Sequence, residues 1–428
     1  MRPSAPKTGA LLRAYLLAVR GLEPFLPGYL RRRLKRGKED PERWREKLGQ
    51  ASLPCPGGPL VWFHAVGLGE VMALRGLIAA MGQLRPDLSF LVTSSAFSSA
   101  LAFAGNTPPR TVHQFLPLDA PGPVARFLDH WRPDLSIWAE QDLWPGLVVA
   151  THKRGIHLAL INARMNARAF GARGRYRGLY RDLYGRFAHI SAQDADAARH
   201  LQALGAGAVG IAGSLKCGAG PLADQPERRA GLAEALAGRE PWCAASSHAA
   251  DEAVAIAAQV QLCAENPARL LIIAPRDPAR RDEIVAACKA AGLSVAARSQ
   301  GASPGPNDAV YLADSFGEMG LWYRLCPVAL IGGGLGDTGG HNPWEAAHLN
   351  CAVLHGPNVA NFAADYAALH GVDAARLVTD GGTLAVALQD PHLFEQSSRA
   401  LKLAQTGMTG MDQLCATLIA LLPQRNDD

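Results

Sequence analysis

The feature that most limits the possible folds is a short apolar run that breaks into glycines and then returns to a helix-forming sequence. The run is Val328 to Ile331, and the glycine segment after it ends in His-Asn-Pro-Trp-Glu at Glu345. This pattern predicts a buried strand, a tight turn and a helix N-terminus. Backbone N–H groups exposed at such a turn are suited to a phosphate. We therefore interpret the segment as a phosphate site, with a nucleotide-activated sugar as the expected ligand.

The same glycines allow two other interpretations. Gly334, Gly336 and Gly339 satisfy the G-x-G-x-x-G pattern of dinucleotide-binding domains. That pattern needs an acidic residue about 20 residues further on, at the end of the next strand, to bind the ribose. The next apolar run, Ala352 to Leu354, continues into His-Gly-Pro-Asn, whereas Glu345 lies earlier, inside the helix. A nicotinamide cofactor is therefore disfavoured, and a glycine-rich turn without a ligand remains an alternative.

Strand and helix patterns alternate along most of the chain. At this spacing, the alternation predicts parallel sheets covered on both faces. With 428 residues and 48% hydrophobic content, two such cores are expected. The expected fold class is α/β, with two doubly wound Rossmann-like domains facing a cleft and an N-terminal amphipathic helix. Ligand-binding groups should follow the carboxyl ends of the strands.

Four segments are expected along the chain. Residues 1–50 form an amphipathic, basic, membrane-associating segment, and residues 51–213 an acceptor-binding domain. Residues 214–395 form a nucleotide-sugar-binding domain, and residues 396–428 form C-terminal helices. The division between the two domains is placed where glycine, proline and alanine replace a periodic pattern, between Ser214 and Pro226.

The N-terminal segment combines an amphipathic helix with a basic run, RRRLKRGK, at residues 31–38. Arg13 and Arg20 share one helical face. The apolar face comprises Leu12, Leu16 and Val19. The uncharged stretch between the two arginines is far shorter than the ~20 residues of a membrane span, and no signal-peptide pattern is present. The pattern favours peripheral attachment to an anionic membrane surface; a solvated tail, or a helix packed on its own domain, is the alternative.

Charge and cysteine content disfavour two other classes of function. The net charge is +5, from 43 basic and 38 acidic residues, which does not favour nucleic-acid binding over the whole surface. Arginine and tyrosine interleave between Asn162 and Phe187, but no RNA-binding module pattern accompanies them, so no nucleic-acid partner is expected. The eight cysteines show no C-x-x-C pair and no histidine at zinc spacing. They are expected to be reduced, and no metal is expected.

Two glutamates in the first half follow predicted strands. Glu70 follows Gly67 and Gly69 at a strand-to-helix turn, where a positioned carboxylate can act as general base for a sugar hydroxyl. It could instead only favour the helix dipole. Glu140 follows the run Ser136 to Ala139 and is expected to bind substrate or support Glu70, with helix capping as the alternative. Arginines after the next strand can bind phosphates in a bidentate manner. The predicted substrate-binding residues are Gly69, Glu140, Arg164, Arg168 and Lys216.

Polar residues of the second half also follow predicted strands. Individually each is a weak signal, but together with the glycine segment they indicate a phosphate and base pocket. No Asp-x-Asp pair suits a divalent metal bridging a diphosphate, which fits a metal-free nucleotide leaving group. The predicted nucleotide-binding residues are Ser246, His248, Arg276, Gly333, Gly334, Gly339, Gly340, His341, Asn342 and Glu345.

These motifs occur in the order found in a known enzyme family. The motifs are HAVGLGEV, EQDLWP, NARMNARAF, ISAQ, GSLK, AASSH, IIAPRDPAR, LADSFGEMG and GGHNPWEAA. The chain resembles bacterial 3-deoxy-D-manno-octulosonic acid (Kdo) transferases from the basic segment to at least Asn361-Phe362. The resemblance implies a glycosyltransferase-B fold and inverting transfer of Kdo from CMP-Kdo to a lipid A precursor, a tetraacyldisaccharide bisphosphate. It also implies action at the cytoplasmic face of the cell inner membrane, without a metal or cofactor.

The resemblance also implies roles for individual residues. Glu70 matches the proposed general base, and Arg276, the segment Gly339 to Asn342 and Glu345 match the donor-nucleotide site. Four positions depart from the usual family pattern. They are Gly67 for serine, Asp142 in an E-x-E acid pair, Asp277 for histidine, and Ala249 for an acidic residue. These departures leave open the acceptor and the number of sugars added. The alternatives are a UDP-sugar transferase or epimerase of the same fold, and a non-catalytic lipid-binding protein.

Overall fold

The computed structural model describes residues 8–95, 100, 103, 107–140 and 142–423, and it divides into two compact units. The first unit is the chain up to Ala219 together with the segment from Thr409 onward, and the second runs from Gly220 to Met408. Each unit is built on one parallel sheet with helices between the strands. The predicted α/β fold class, with two doubly wound domains, is confirmed.

The sheet of the first unit has the strand order β3-β2-β1-β4-β5-β6-β7. Its strands are β1 (Leu60–His64), β2 (Ser89–Ser94), β3 (Thr111–Phe115), β4 (Leu135–Ala139), β5 (His157–Ala163), β6 (His189–Ala192) and β7 (Gly210–Ile211). Its helices are α1 (Ala10–Leu22), α2 (Leu26–Leu34), α3 (Leu68–Leu84), α4 (Pro121–Trp131), α5 (Pro145–Lys153), α6 (Ala167–Gly174), α7 (Arg177–Tyr184) and α8 (Ala195–Ala203).

The sheet of the second unit has the order β10-β11-β9-β8-β12-β13-β14. Its strands are β8 (Glu240–Ser247), β9 (Arg269–Pro275), β10 (Val295–Ala297), β11 (Val310–Leu312), β12 (Val328–Ile331), β13 (Ala352–His355) and β14 (Ala375–Leu377). Its helices are α9 (Pro226–Ala235), α10 (Ala249–Glu265), α11 (Arg281–Ala290), α12 (Met319–Leu325), α13 (Trp344–Ala347), α14 (Ala363–Gly371) and α15 (Gly381–Leu388). The last helix, α16 (Leu393–Ala420), continues from this unit into the segment that belongs to the first.

The strands are buried on both faces, which is why they read as continuous apolar runs in the sequence. In β1 every residue is buried, and alternate side chains enter different cores: Trp62 packs in one cluster, Val61 and Phe63 in another. The end of α16 completes the second of these clusters through Leu414, among others. The second unit has its own cluster around β8, β9 and β12.

Helix α1 lies on the first unit by the face that the sequence marked as apolar. Leu12 is fully buried and Leu16 packs against the same core. The Tyr15 hydroxyl donates to Asp119 Oδ2 at 2.8 Å. The alternative interpretation, in which the helix packs on its own domain, is therefore correct for the face of Leu12 and Leu16. Other leucines of the helix remain exposed. Those exposed residues are Leu11, Leu17, Leu22 and, after the helix, Phe25.

Within the part of the chain that the structure describes, every helix is too short or too polar to cross a membrane.

Candidate active site

The order of strands places the site in each unit. In the first sheet the chain runs outward from β1 through β2 to β3, and then restarts on the other side with β4. In the second sheet the corresponding change of direction lies between β8 and β12. Ligands of doubly wound sheets bind beyond the carboxyl ends of the strands at this switch point. The predicted Glu70 and Glu140 follow β1 and β4, and the predicted His248 and glycine segment follow β8 and β12.

Glu70 lies in the first turn of α3, and its carboxylate is held by the turn that precedes the helix. Glu70 Oε2 accepts from the N–H groups of Val66 at 2.9 Å and Gly67 at 3.2 Å. These bonds hold the carboxylate in place through one of its two oxygens. A β-carbon built on Gly67 would lie 3.6 Å from Glu70 Oε1, an ordinary contact, so the serine usual in the family would fit here. Gly69 is the helical residue immediately before Glu70.

Glu140 ends β4 in a left-handed backbone conformation, with φ of 64°, and its N–H donates to Ile161 O at 3.0 Å. Its carboxyl group forms a hydrogen bond with that of Glu70. Burial and then the charge of Glu70 raise the pKa of Glu140 to about 7, while the charges of Arg164 and Lys216 oppose the rise. Non-glycine residues with positive φ are strained and cluster at functional sites.

The two carboxyl groups therefore act as a pair. Like charges in contact make the second ionisation of such a pair difficult, so Glu140 keeps its proton up to about its raised pKa of 7. Once that proton is lost, near neutral pH, the doubly ionised pair is a stronger base than an isolated glutamate. A base with a pKa close to the working pH is suited to removing a proton from a hydroxyl group.

The structure brings two of the predicted cationic residues to this pair. Arg164 follows β5 and is exposed, whereas Lys216 lies in the turn after β7. The positive charges of both side chains lower the pKa of Glu140. Arg168 lies exposed in the first turn of α6, and no contact joins it to the pair in the described residues.

Arg173 is a site residue that the sequence interpretation missed. Its Nε is buried without a hydrogen-bond partner, and its charge lowers the pKa of Asp142, which burial raises. Asp142 also accepts from Trp144 Nε1 at 3.1 Å. Gln141, between the two acids of the EQDLWP motif, lies outside the described residues. The run of arginines from 164 to 186 hid Arg173 among neighbours most of which are exposed.

In the second unit a buried carboxylate organises the glycine segment. Asp251, in the first turn of α10, is 1% exposed. Its carboxylate accepts from the N–H groups of Gly333 at 2.7 Å, His248 at 3.0 Å and Leu335 at 3.1 Å. The sequence interpretation missed Asp251, since an acidic residue in a first helical turn is common for reasons of the helix dipole alone. The carboxylate ties the loop after β8 to the loop after β12.

The expectation of bare N–H groups does not hold at several positions of the glycine segment. The N–H groups of Gly339 and Gly340 donate to Gly333 O, and that of His341 donates to Gly332 O. Together with the two bonds to Asp251, these contacts use most N–H groups of the loop in hydrogen bonds within the protein. The glycines are required by backbone geometry: Gly339 and Gly340 have positive φ. A phosphate site here must therefore draw mainly on side chains next to the loop.

Gly334 meets another glycine backbone. A β-carbon on Gly334 would lie 2.9 Å from the backbone nitrogen of Gly356, and one on Gly356 would lie 2.3 Å from the carbonyl carbon of Gly334. Neither position therefore admits a side chain without displacing a backbone segment, so these two glycines let the loops after β12 and β13 touch.

Two histidines bridge the same two loops. His248 Nε2 lies 2.9 Å from His341 Nε2, and the rings are stacked with centroids 5.1 Å apart. In this contact one imidazole must donate and the other accept. Burial, and then His248 and the positive charge of Arg276, lower the pKa of His341 to about 4. Ser246, just before, is left-handed with φ of 52°.

Glu345 lies in the same group of residues. Burial raises its pKa, against a hydrogen bond from Asn342 Nδ2 at 3.4 Å and the charge of Arg276. Helix α14 supports the segment, because the Tyr366 hydroxyl donates to His341 O at 3.1 Å. The structure thus brings together five of the residues that the sequence singled out: Arg276, His248, His341, Asn342 and Glu345.

Metal ligands do not cluster in the described parts of the chain: there, no group of three or more His, Cys, Asp or Glu side chains could hold an ion.

Known proteins match this chain over most of its length. A family model described as 3-Deoxy-D-manno-octulosonic-acid transferase (kdotransferase) matches residues 42–219. A probable mitochondrial 3-deoxy-D-manno-octulosonic acid transferase of Arabidopsis thaliana is 32% identical over 405 residues, 91% of each chain. The 3-deoxy-D-manno-octulosonic acid transferase of Bordetella pertussis is 34% identical, over 81% of this chain and 83% of that one. A UDP-GlcNAc 2-epimerase from Neisseria meningitidis, solved bound to UDP-GlcNAc, is 12% identical with a TM-score of 0.52, over 84% of this chain and 99% of that one, which is a likeness of fold alone.

Proposed function

The chain belongs to the Kdo transferase family, and from this premise we propose that it moves Kdo from CMP-Kdo to a lipid A precursor, with Glu70 as general base. The observation that carries the proposal is the Glu70–Glu140 carboxyl pair at the switch point of the first sheet. A hydroxyl of the acceptor attacks the anomeric carbon of Kdo on the face opposite CMP. The C–O bond to CMP breaks as the new glycosidic bond forms, and the hydroxyl proton passes to Glu70.

The first unit is proposed to bind the acceptor. A bisphosphorylated disaccharide carries charges that arginine binds well, and Arg164 and Arg168 are exposed after β5. Lys216 and Arg164 also stabilise the carboxyl pair in its ionised form.

The second unit is proposed to bind the nucleotide. Arg276 is exposed at the end of β9 and supplies a charge for the phosphate, and Glu345 is suited to accept from ribose hydroxyls. The His248–His341 pair offers imidazole groups for further hydrogen bonds beside Arg276. The proposal includes no metal or cofactor, in keeping with the resemblance noted from the sequence.

The proposal is tested by measuring CMP released from CMP-Kdo by the purified chain. Release that requires a bisphosphorylated lipid A precursor, with the matching mass gain on the lipid, is the expected result. Parallel reactions with UDP-sugars are the control. Release of UDP from those donors, and no release of CMP, would replace the proposal with another nucleotide-sugar enzyme of this fold.

The carboxyl pair predicts a pH dependence for this reaction. The rate is expected to rise with pH through about 7, because the pair then loses the proton that Glu140 holds. In Glu140→Gln the carboxyl group that titrates near 7 and its like charge are absent, so the doubly ionised pair cannot form. The rate–pH curve should therefore move to lower pH and reach a lower plateau. A Glu140→Gln curve with the midpoint of the unaltered protein would mean that another group sets the profile.

We propose that the chain acts at the cytoplasmic face of the inner membrane, attached peripherally. Helix α1 packs by Leu12, and its opposite side exposes Leu17 by 69%, Leu22 by 57% and, beyond the helix, Phe25 by 71%. Apolar residues beside a basic run favour the surface of an anionic bilayer. The basic run follows directly, in α2 and the residues after it.

Substituting Leu17→Glu is expected to weaken binding to anionic phospholipid vesicles by about tenfold or more, since burying one leucine contributes about 1.5–3 kcal/mol. Cosedimentation with vesicles measures the effect. Leu84→Glu is a matched control, because Leu84 is also exposed, by 60%, but lies at the end of α3. Equal losses in the two variants would contradict the assignment of α1 as the attachment surface.

A further inference from the structure

Asn162, near the end of β5, combines burial with a strained backbone. It is 6% exposed and has φ of 55°. The pairing of β5 with β6 shifts register between Leu160 and Ala163, so the residue lies in an irregularity of the sheet. Asparagine tolerates the left-handed region better than most residues, yet the conformation still costs free energy and persists only where contacts enforce it.

The contacts of Asn162 connect three segments of the carboxyl edge. Its side-chain Oδ1 accepts from the N–H of Leu215 at 3.2 Å. Its backbone carbonyl accepts from Gln193 Nε2 at 3.2 Å. The preceding carbonyl, that of Ile161, accepts from the N–H of Glu140. Asn162 therefore joins the turn that carries Lys216 to the end of β5, whose neighbouring Ile161 holds the backbone of Glu140.

That turn brings a charge to the carboxyl pair. Lys216 directly follows Leu215, and its charge lowers the pKa of Glu140. Without the bond from Leu215 to Asn162, the turn keeps the packing of Leu215 in the core but loses its hydrogen bond to the end of β5. The charge would then act on Glu140 from a larger and more variable distance.

We propose that Asn162 is a positioning residue for the transfer reaction, whose side-chain carbonyl anchors the Leu215–Lys216 turn so that the Lys216 ammonium group stays beside Glu140. The proposal rests on the proposed function of the carboxyl pair. It requires no contact between Asn162 and either substrate. Its effect is on the pH at which the pair becomes fully ionised.

The test replaces Asn162 by glycine, which accepts positive φ and lacks the amide. With the ammonium group displaced, the pair should hold its proton to higher pH. The rising limb of kcat/KM against pH should therefore move to higher pH. Below the midpoint, the rate relative to the plateau should fall roughly three- to tenfold, since one pH unit corresponds to a factor of ten. Lys216→Ala should move the limb in the same direction, and the double variant should move it no further. A merely structural loss would instead lower the rate at every pH.

The control is Asn350→Gly, since Asn350 also has positive φ, 56°, and lies in the second unit. Its pH profile should match that of the unaltered protein. An unmoved limb in Asn162→Gly, or additive shifts in the double variant, would overturn the proposal while leaving transfer by the unaltered protein intact. If the unaltered protein transfers no Kdo, carbon NMR titration of the glutamate carboxyl groups still decides the matter. An equal Glu140 titration in Asn162→Gly and in the unaltered protein would overturn the positioning role.

Discussion

Glu70→Gln is expected to lower the rate of Kdo transfer by about 10²- to 10⁴-fold, the range typical for loss of a general base. The amide oxygen of glutamine can still accept from Val66 and Gly67, so the turn before α3 should keep its geometry. The amide cannot take up the proton of the acceptor hydroxyl. The measurement is kcat for CMP release with saturating acceptor, together with the affinity for CMP, which should be unchanged.

Glu227→Gln is the matched control for Glu70→Gln. Glu227 is also an acidic residue in a first helical turn, that of α9, and it is exposed. A transfer rate close to that of the unaltered protein is expected for it, because only the helix dipole is affected. Near-normal turnover in Glu70→Gln would show that Glu70 is not the base, and Glu140 would become the candidate.

Asp251→Ala is expected to destabilise the second unit by about 3 kcal/mol or more. Three N–H groups lose their acceptor, and each buried donor left without a partner costs about 1–3 kcal/mol. For a domain of this size, the midpoint of thermal unfolding should fall by roughly 6–12 °C. Affinity for CMP should fall with it, since the loops that carry His248 and His341 lose their common anchor.

Asp282→Ala serves as the control for Asp251→Ala. The Asp282 side chain is 85% exposed, and its ion pair is with the adjacent Arg281. Such a change should alter the free energy of unfolding by no more than about 0.5 kcal/mol. If Asp251→Ala unfolded at the same temperature as Asp282→Ala, the three N–H groups would have to find other acceptors, and the anchoring role of Asp251 would be wrong.

The sequence predicted the architecture because the strands of a buried parallel sheet are apolar throughout. Strands such as β1 and β12 were located within a residue or two. Two of the four edge strands, β7 and β14, of two and three residues, were not predicted, because segments this short carry too little pattern to be distinguished from loops. The face of α1 that packs on the domain was identified as apolar, but its partner could not be, since that partner lies more than a hundred residues away.

The candidate site could be predicted in part. Glu70 and His341 follow strands and stand next to glycines, so local pattern was enough to single them out. The raised pKa of Glu140 depends on burial and on the carboxylate of Glu70 in helix α3, and neither contact is visible in a single sequence. Asp251 and Asn162 were missed for a related reason, because each acts through backbone groups of a distant loop.

The attachment of α1 through Asp119 has a consequence for how this protein can be handled. Asp119 accepts from Tyr15 at 2.8 Å and also from the N–H groups of Gly146 at 2.8 Å and Leu147 at 2.6 Å, at the start of α5. Removing the N-terminal residues up to Leu22 to obtain a detergent-free preparation would uncover the core against which Leu12 packs. It would also remove Tyr15, a hydrogen-bond donor to the carboxylate at the start of α5. Solubility is better improved by substituting the exposed leucines one at a time, because α1 carries both exposed apolar side chains and side chains that pack on the first unit.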